Sequence, residues 1–167
     1  MKKMQTIIKL RILIQISALA LFLLNSLPAL SQGLNVTTLQ NLSFGAFSQG
    51  TTGGTITVSN TGSRTTSGTV VPLNLGIQYF QAVFQVQDSI GTVVSILNGP
   101  DATLNGSNGG TMSLHISNSD PASPFISTIA PPGTTRISIG GTLTVGNADV
   151  TPPGNYTGTF YITFNNE

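Results

Sequence analysis

Arg136-Ile137-Ser138-Ile139-Gly140-Gly141-Thr142-Leu143-Thr144-Val145 reads as a strand with one apolar face. Ile137, Ile139, Leu143 and Val145 fall at alternate positions, with Arg136, Ser138, Thr142 and Thr144 between them. Side chains of an extended chain point to opposite faces in turn, so a period of two buries one side and wets the other. An amphipathic helix would instead space its apolar residues three and four apart.

The same pattern recurs on both sides of this stretch. Upstream, Leu34 and Val36 alternate with Asn35 and Thr37, and Leu42 and Phe44 follow. Ile56 and Val58 alternate with Thr55, Thr57 and Ser59, and Arg64 to Leu73 reads as the next strand. Phe84 and Val86 alternate with Gln85 and Gln87, Val94 and Ile96 with Val93 and Ser95, and Met112, Leu114 and Ile116 with Ser113, His115 and Ser117. Downstream, Tyr156, Phe160, Ile162 and Phe164 share a face against Thr157, Thr159, Tyr161 and Thr163. Clusters rich in Gly, Pro, Asn and Ser punctuate the strands at 49–54, 98–100, 105–110, 117–133 and 151–154, as turns require. Eight or nine short strands at this spacing predict an all-β, antiparallel β-sandwich, and the irregular loop lengths fit Greek-key crossovers. No internal repeat or second domain is visible.

The first thirty-one residues have a different character. A basic segment ends at Arg11, and a mainly apolar region of thirteen residues follows, Ile12 to Leu24. A membrane-spanning helix needs about twenty. Asn25 and Pro28 break the run, and Ala29-Leu30-Ser31 places small residues where a signal peptidase cuts. This predicts a cleaved signal-peptide helix over 1–31 and a single β-sandwich domain over 32–167. The product is then exported to the periplasm, cell surface or exterior of a bacterium, with no membrane span in the mature chain. The chain has no cysteine, which excludes a lipid anchor and disulfides. At 136 residues the domain can still bury about two thirds of its unfolded surface.

Removing the leader also changes the charge. Four of the six cations are Lys2, Lys3, Lys9 and Arg11. What remains is Arg64 and Arg136 against Asp88, Asp101, Asp120, Asp149 and Glu167, a net charge of −3 with no lysine. Such a chain has no basic surface for nucleic acid.

Several ordered motifs resemble a known family: Leu42-Ser43-Phe44-Gly45, Gly54-Thr55-Ile56-Thr57-Val58, Gly62-Ser63-Arg64, Ala82-Val83-Phe84-Gln85-Val86, Gly109-Gly110-Thr111-Met112, Ile139-Gly140-Gly141-Thr142-Leu143-Thr144-Val145 and Gly154-Asn155-Tyr156-Thr157-Gly158-Thr159-Phe160. Together they look like a secreted bacterial domain-of-unknown-function family, itself similar to spore coat protein U and to chaperone–usher pilin subunits. The resemblance implies an immunoglobulin-like sandwich. In pilins one strand is missing and a neighbour's N-terminal extension supplies it. Carried over, this makes Leu34 and Val36 the candidate assembly strand. It makes Gly154, Tyr156, Phe160, Ile162 and Phe164 the C-terminal strand face. Gly154 is fourteenth from the end, as in pilins, but the penultimate residue is Asn166 where pilins carry an aromatic. Both a complete sandwich and one needing a donated strand remain open from the residues.

The candidate chemistry is thin. His115 is the single histidine and lies on the polar side of its strand, with no nucleophile-elbow motif in the chain. The acids are scattered over separate turns rather than paired. Asp101 with Asn105, Ser107 and Asn108 makes a polar loop short of the acidic ligands a strong calcium site needs. Asn35, Asn41, Asn105 and Asn155 begin Asn-x-Ser/Thr triplets, a coincidence expected of a Thr-rich chain, and Asp88-Ser89-Ile90 resembles a bacterial O-glycosylation triplet. There is no tryptophan, and Tyr161 and the Tyr79-Phe80 pair are the aromatics placed to meet a sugar. No catalytic, cofactor-binding or metal-ligating residue is assigned. The expectation is a non-catalytic structural or adhesive surface protein, a pilus- or coat-like subunit with protein partners or self-association. The alternative is a soluble extracellular binding module for glycans or a surface partner. The exported protein is expected to have the intact mass of residues 32–167, and recovery of the uncut chain from membranes would refute the leader.

Overall fold

The structure, a computed structural model, describes residues 33–167. The leader expected over 1–31 lies outside the described residues. Those residues form fifteen strands and no helix. In chain order they are β1 (Asn35–Gln40), β2 (Ser43–Phe44), β3 (Phe47–Ser48), β4 (Gly54–Val58), β5 (Arg64–Gly68), β6 (Val71–Pro72), β7 (Tyr79–Phe80) and β8 (Ala82–Gln87). Then come β9 (Val93–Asn98), β10 (Ala102–Gly106), β11 (Thr111–Asp120), β12 (Phe125–Ile126), β13 (Thr135–Val145), β14 (Tyr156–Thr157) and β15 (Ile162–Asn166). Nine of them are five residues or longer, as the alternation predicts, and six are two-residue pairings.

An eight-stranded sheet runs β1-β8-β13-β11-β10-β14, with β4 also on β13 and β5 on β4. A three-stranded sheet runs β12-β9-β15, and β2-β7 and β3-β6 are separate pairs. Every pairing is antiparallel.

β13 organises the large sheet. One of its edges bonds β11 along most of its length. The other bonds β8 from Thr135 to Ile139, then β4 from Gly141 to Val145. The change of partner falls at Gly140-Gly141. A Cβ on Gly140 would stand 2.2 Å from the Val58 carbonyl oxygen, and one on Gly141 would stand 2.9 Å from methyl carbons of both Leu114 and Leu42. No side chain fits there, so glycine is what lets β4 close against β13 where β8 leaves it.

The apolar face of β13 is the centre of the core. Ile137, Ile139, Leu143 and Val145 are buried together with Ile56, Val58, Val86 and Leu114. Val94 and Ile96 of the small sheet join the same cluster. Phe84 of β8 meets Phe164 of β15 with ring centroids 5.5 Å apart and tilted by 59°, a favourable aromatic geometry that ties the sheets at one side. The opposite face of the large sheet is hydroxyl-rich. Thr57 and Thr142 share a 2.9 Å hydrogen bond, and Thr55 and Ser67 one of 2.7 Å.

Two expected strands are divided. β5 ends at Gly68 (φ +67°), whose added Cβ would meet the Gly53 oxygen at 2.5 Å, so the stretch Arg64 to Leu73 turns before β6. The C-terminal stretch keeps its apolar parity but changes sheets: β14 lies on β10, and β15 on β9. Ile139→Ala is expected to lower the unfolding free energy by about 2–5 kcal/mol. Thr144→Ala, on the wet face, should change it by under about 0.5 kcal/mol. Urea titration followed by circular dichroism checks both.

Candidate functional site

β1 bonds only β8 and β15 bonds only β9 among the described residues, so each has an unpaired edge. The two strands stand on either side of an open groove of about 470 Å³. Leu42, Ala82, Phe84, Phe160 and Ile162 give it an apolar floor, and Thr38, Gln40, Thr159 and Tyr161 give it a polar rim.

The rim on the β1 side is shaped by a bulge. Thr38 opposes Phe84 and Gln40 opposes Val83, which leaves Leu39 as the extra residue, turned out to solvent. The Gln40 side-chain amide donates to the Gln81 carbonyl at 2.8 Å and fixes the strand beyond the bulge. On the other side the chain crosses between sheets from Gly158 to Tyr161. A Cβ on Gly158 would stand 2.6 Å from the Thr103 oxygen, so glycine allows the crossing chain to press against β10.

One family match spans β1 and all but the last residue of β15. The sequence matches the family model described as a domain of unknown function, DUF4402, over residues 34–165. The chain belongs to the DUF4402 family. No curated protein and no solved structure matches it.

The DUF4402 domain brings some of the expected site residues together and separates others. Phe160 and Ile162 line the groove, and Phe164 packs beside it on Phe84. Val36 on β1, opposite Val86, and Leu34 just ahead of the strand both pack on the core of their own domain. Tyr156 and Gly154 lie elsewhere. The Tyr156 hydroxyl donates to the Pro152 carbonyl at 2.7 Å, and Gly154 approaches the 107–108 loop, where the Asn155 amide donates to Ser107 Oγ and the Asn108 side-chain amide donates to the Pro153 carbonyl. Leu42, Ala82 and Phe84 were not anticipated at a site, because a period-two pattern marks the inward face without showing which part of it stays uncovered.

The remaining polar groups are dispersed. His115 Nδ1 lies 2.7 Å from Asp101 Oδ1 on the open outer face, with side chains 70% and 58% exposed. Asp101 is thus turned to His115 rather than to the loop at 105–108. Asp88 is buried: its Oδ1 accepts the Ser89 amide at 2.7 Å, and its Oδ2 has no partner. It shapes the turn ahead of β9, which gives the Asp-Ser-Ile triplet a structural role. Among the described residues, no three His, Cys, Asp or Glu side chains gather as metal ligands, and no helix is long and apolar enough to cross a membrane.

Because Leu34 and Val36 pack within their own domain, replacing both by Asp is expected to cost about 1–3 kcal/mol of stability. An unchanged urea midpoint would show that this segment is not part of the folded unit.

Proposed function

We propose that this DUF4402 protein is a non-catalytic, exported structural or adhesive protein of the bacterial surface, a subunit that joins a neighbour by β-strand addition at the β1/β15 groove. The groove itself carries the proposal: an apolar floor between two strands that each leave an edge unpaired. An unpaired edge presents a row of amide N–H and carbonyl groups that another extended chain can satisfy. A segment lying in the groove would bond those edges and rest alternate side chains on Leu42, Phe84, Phe160 and Ile162.

In this proposal the two sheets form an immunoglobulin-like sandwich one strand short, as in the pilin and spore coat U subunits that the motifs resemble. Asn166 stands outside that likeness. The sparse charge and the hydroxyl-rich outer face support a scaffold role, since acid–base chemistry needs titratable groups held close together. A second use of the same place is favoured by Tyr161, which is 72% exposed on the groove rim and could stack on a sugar. That would make the protein a soluble extracellular module for glycans.

Sedimentation of the exported chain over a concentration series tests the proposal. Self-association is expected, and Thr38→Glu with Thr159→Glu, both on exposed rim positions, should abolish it without lowering the unfolding midpoint. A protein monomeric up to the order of 1 mM would overturn the subunit role. Glycan retention that disappears in Tyr161→Ala would favour the module instead.

A further inference from the structure

A groove that acts by strand addition takes an extended segment, and the first strand of the same domain is already paired to β8. The chain displays another segment of suitable chemistry. Among the described residues, six of the thirteen exposed large hydrophobics lie within the ten residues Val71–Phe80: Val71, Leu73, Leu75, Ile77, Tyr79 and Phe80. Every residue of this stretch is exposed, with Leu75 at 68% and Ile77 at 59%. Apolar patches of this kind mark interaction surfaces more often than isolated exposed side chains do.

The segment is an arm with a built base. β6 pairs with β3 on one side of its root, and β7 pairs with β2 on the other. The Leu73 amide donates to the Ala46 carbonyl at 2.9 Å, and Ser43 Oγ donates to the Gln78 carbonyl at 2.9 Å. Arg64 braces both roots. Its Nη1 donates to the Phe44 and Ala46 carbonyls at 3.0 and 3.2 Å, and its guanidinium lies 4.4 Å from the Tyr79 ring centroid. Gly45 (φ +69°) makes room for this brace, since a Cβ there would stand 2.8 Å from Arg64 Nη1. The tip, Leu73 to Gln78, is therefore held out from its own core and can dock without giving up buried contacts.

We propose that the arm tip, Leu73 to Ile77, docks in the β1/β15 groove of a second copy of the chain. This rests on the role given to the groove above and names its partner. Leu73, Leu75 and Ile77 recur at every second position, the spacing that would present one face to a floor once the tip is extended; in the free chain the tip bends at Leu75-Gly76, where Gly76 has φ +77°. No charged residue occurs from Thr65 to Gln87, and none lines the groove, so neither surface loses hydration of a charge on contact. A space of about 470 Å³ lies in the range that holds a few aliphatic side chains.

The test mixes two variants. One carries Leu75→Asp and Ile77→Asp in the arm, and the other carries Thr38→Glu and Thr159→Glu on the groove rim. All four positions are exposed, and thermal unfolding confirms that both variants fold. Each alone is expected to associate at least about 30-fold more weakly than the parent, the scale of losing central apolar anchors. An equimolar mixture, which holds one intact arm and one intact groove, is expected to recover a complex containing both chains. An arm variant that associates like the parent would overturn the inference, while leaving the groove's role standing if the rim variant is monomeric. A mixture that stays monomeric would also overturn it. So would parent protein that binds phosphatidylcholine vesicles through Leu75 and Ile77 without self-associating. A parent that never associates removes the groove's role and the arm's together.

Discussion

The whole sheet hangs on the close approach of two backbones at Gly140. β13 is eleven residues long and has three neighbours on two edges, which works only if β8 and β4 share one edge in succession. The Val58 carbonyl would sit 2.2 Å from any Cβ at residue 140, so the join tolerates no side chain. Once β4 is seated, it carries β5 with it, and Ile56 and Val58 come down on the buried face beside Ile139 and Leu143. The core is thus built around one strand whose register is fixed by its alternation: a slip of one residue would turn Ile137, Ile139, Leu143 and Val145 to water.

What that strand cannot do is close the structure. β1 ends the large sheet and β15 ends the small one, and only side chains such as Phe84 and Phe164 link the two near the gap. Soluble proteins protect such edges with lysine, proline, short strands or bulges. Here β1 has a bulge at Leu39, but neither β1 nor β15 contains a charged residue or a proline. The domain lacks lysine from residue 10 onward, so the commonest edge guard is not in its composition. Edges left this lightly guarded suit a protein that uses them.

The fold class was legible because alternation survives wherever one face is buried: seven of the nine longer strands coincide with period-two runs such as Met112-Leu114-Ile116 and Ile56-Val58, while β5 carries no apolar residue and β10 runs into a stretch that reads as a turn. Chain direction was less legible. Tyr156 and Phe164 keep the same parity, yet they belong to different sheets, since a crossover at Gly158 to Tyr161 preserves the alternation while changing the hydrogen-bond partners. The arm was hidden for the opposite reason. Leu73, Leu75 and Ile77 alternate as a buried strand would, but the short pairs at their roots point them outward. Half of the groove was visible in Phe160 and Ile162. The other half, Leu42, Ala82 and Phe84, depends on which neighbours stop short, and that is a property of topology rather than of local pattern.

Composition and topology then converge on one kind of contact. With so few charges, long-range attraction contributes little to bringing partners together, and opposite charges cannot set the register of an interface. On the proposed reading, recognition comes from backbone hydrogen bonds along a strand edge and from the fit of apolar side chains into a floor. Both need a partner that is extended, uncharged and apolar at alternate positions. On the proposed reading the protein's own arm is that partner: it is uncharged and apolar at alternate positions, it would straighten from its bend at Leu75-Gly76 on docking, and Arg64, one of the two cations beyond residue 11, holds its roots in place. A charge-poor domain that commits a scarce arginine to supporting an apolar projection would, on the same reading, associate by short-range fit rather than by charge.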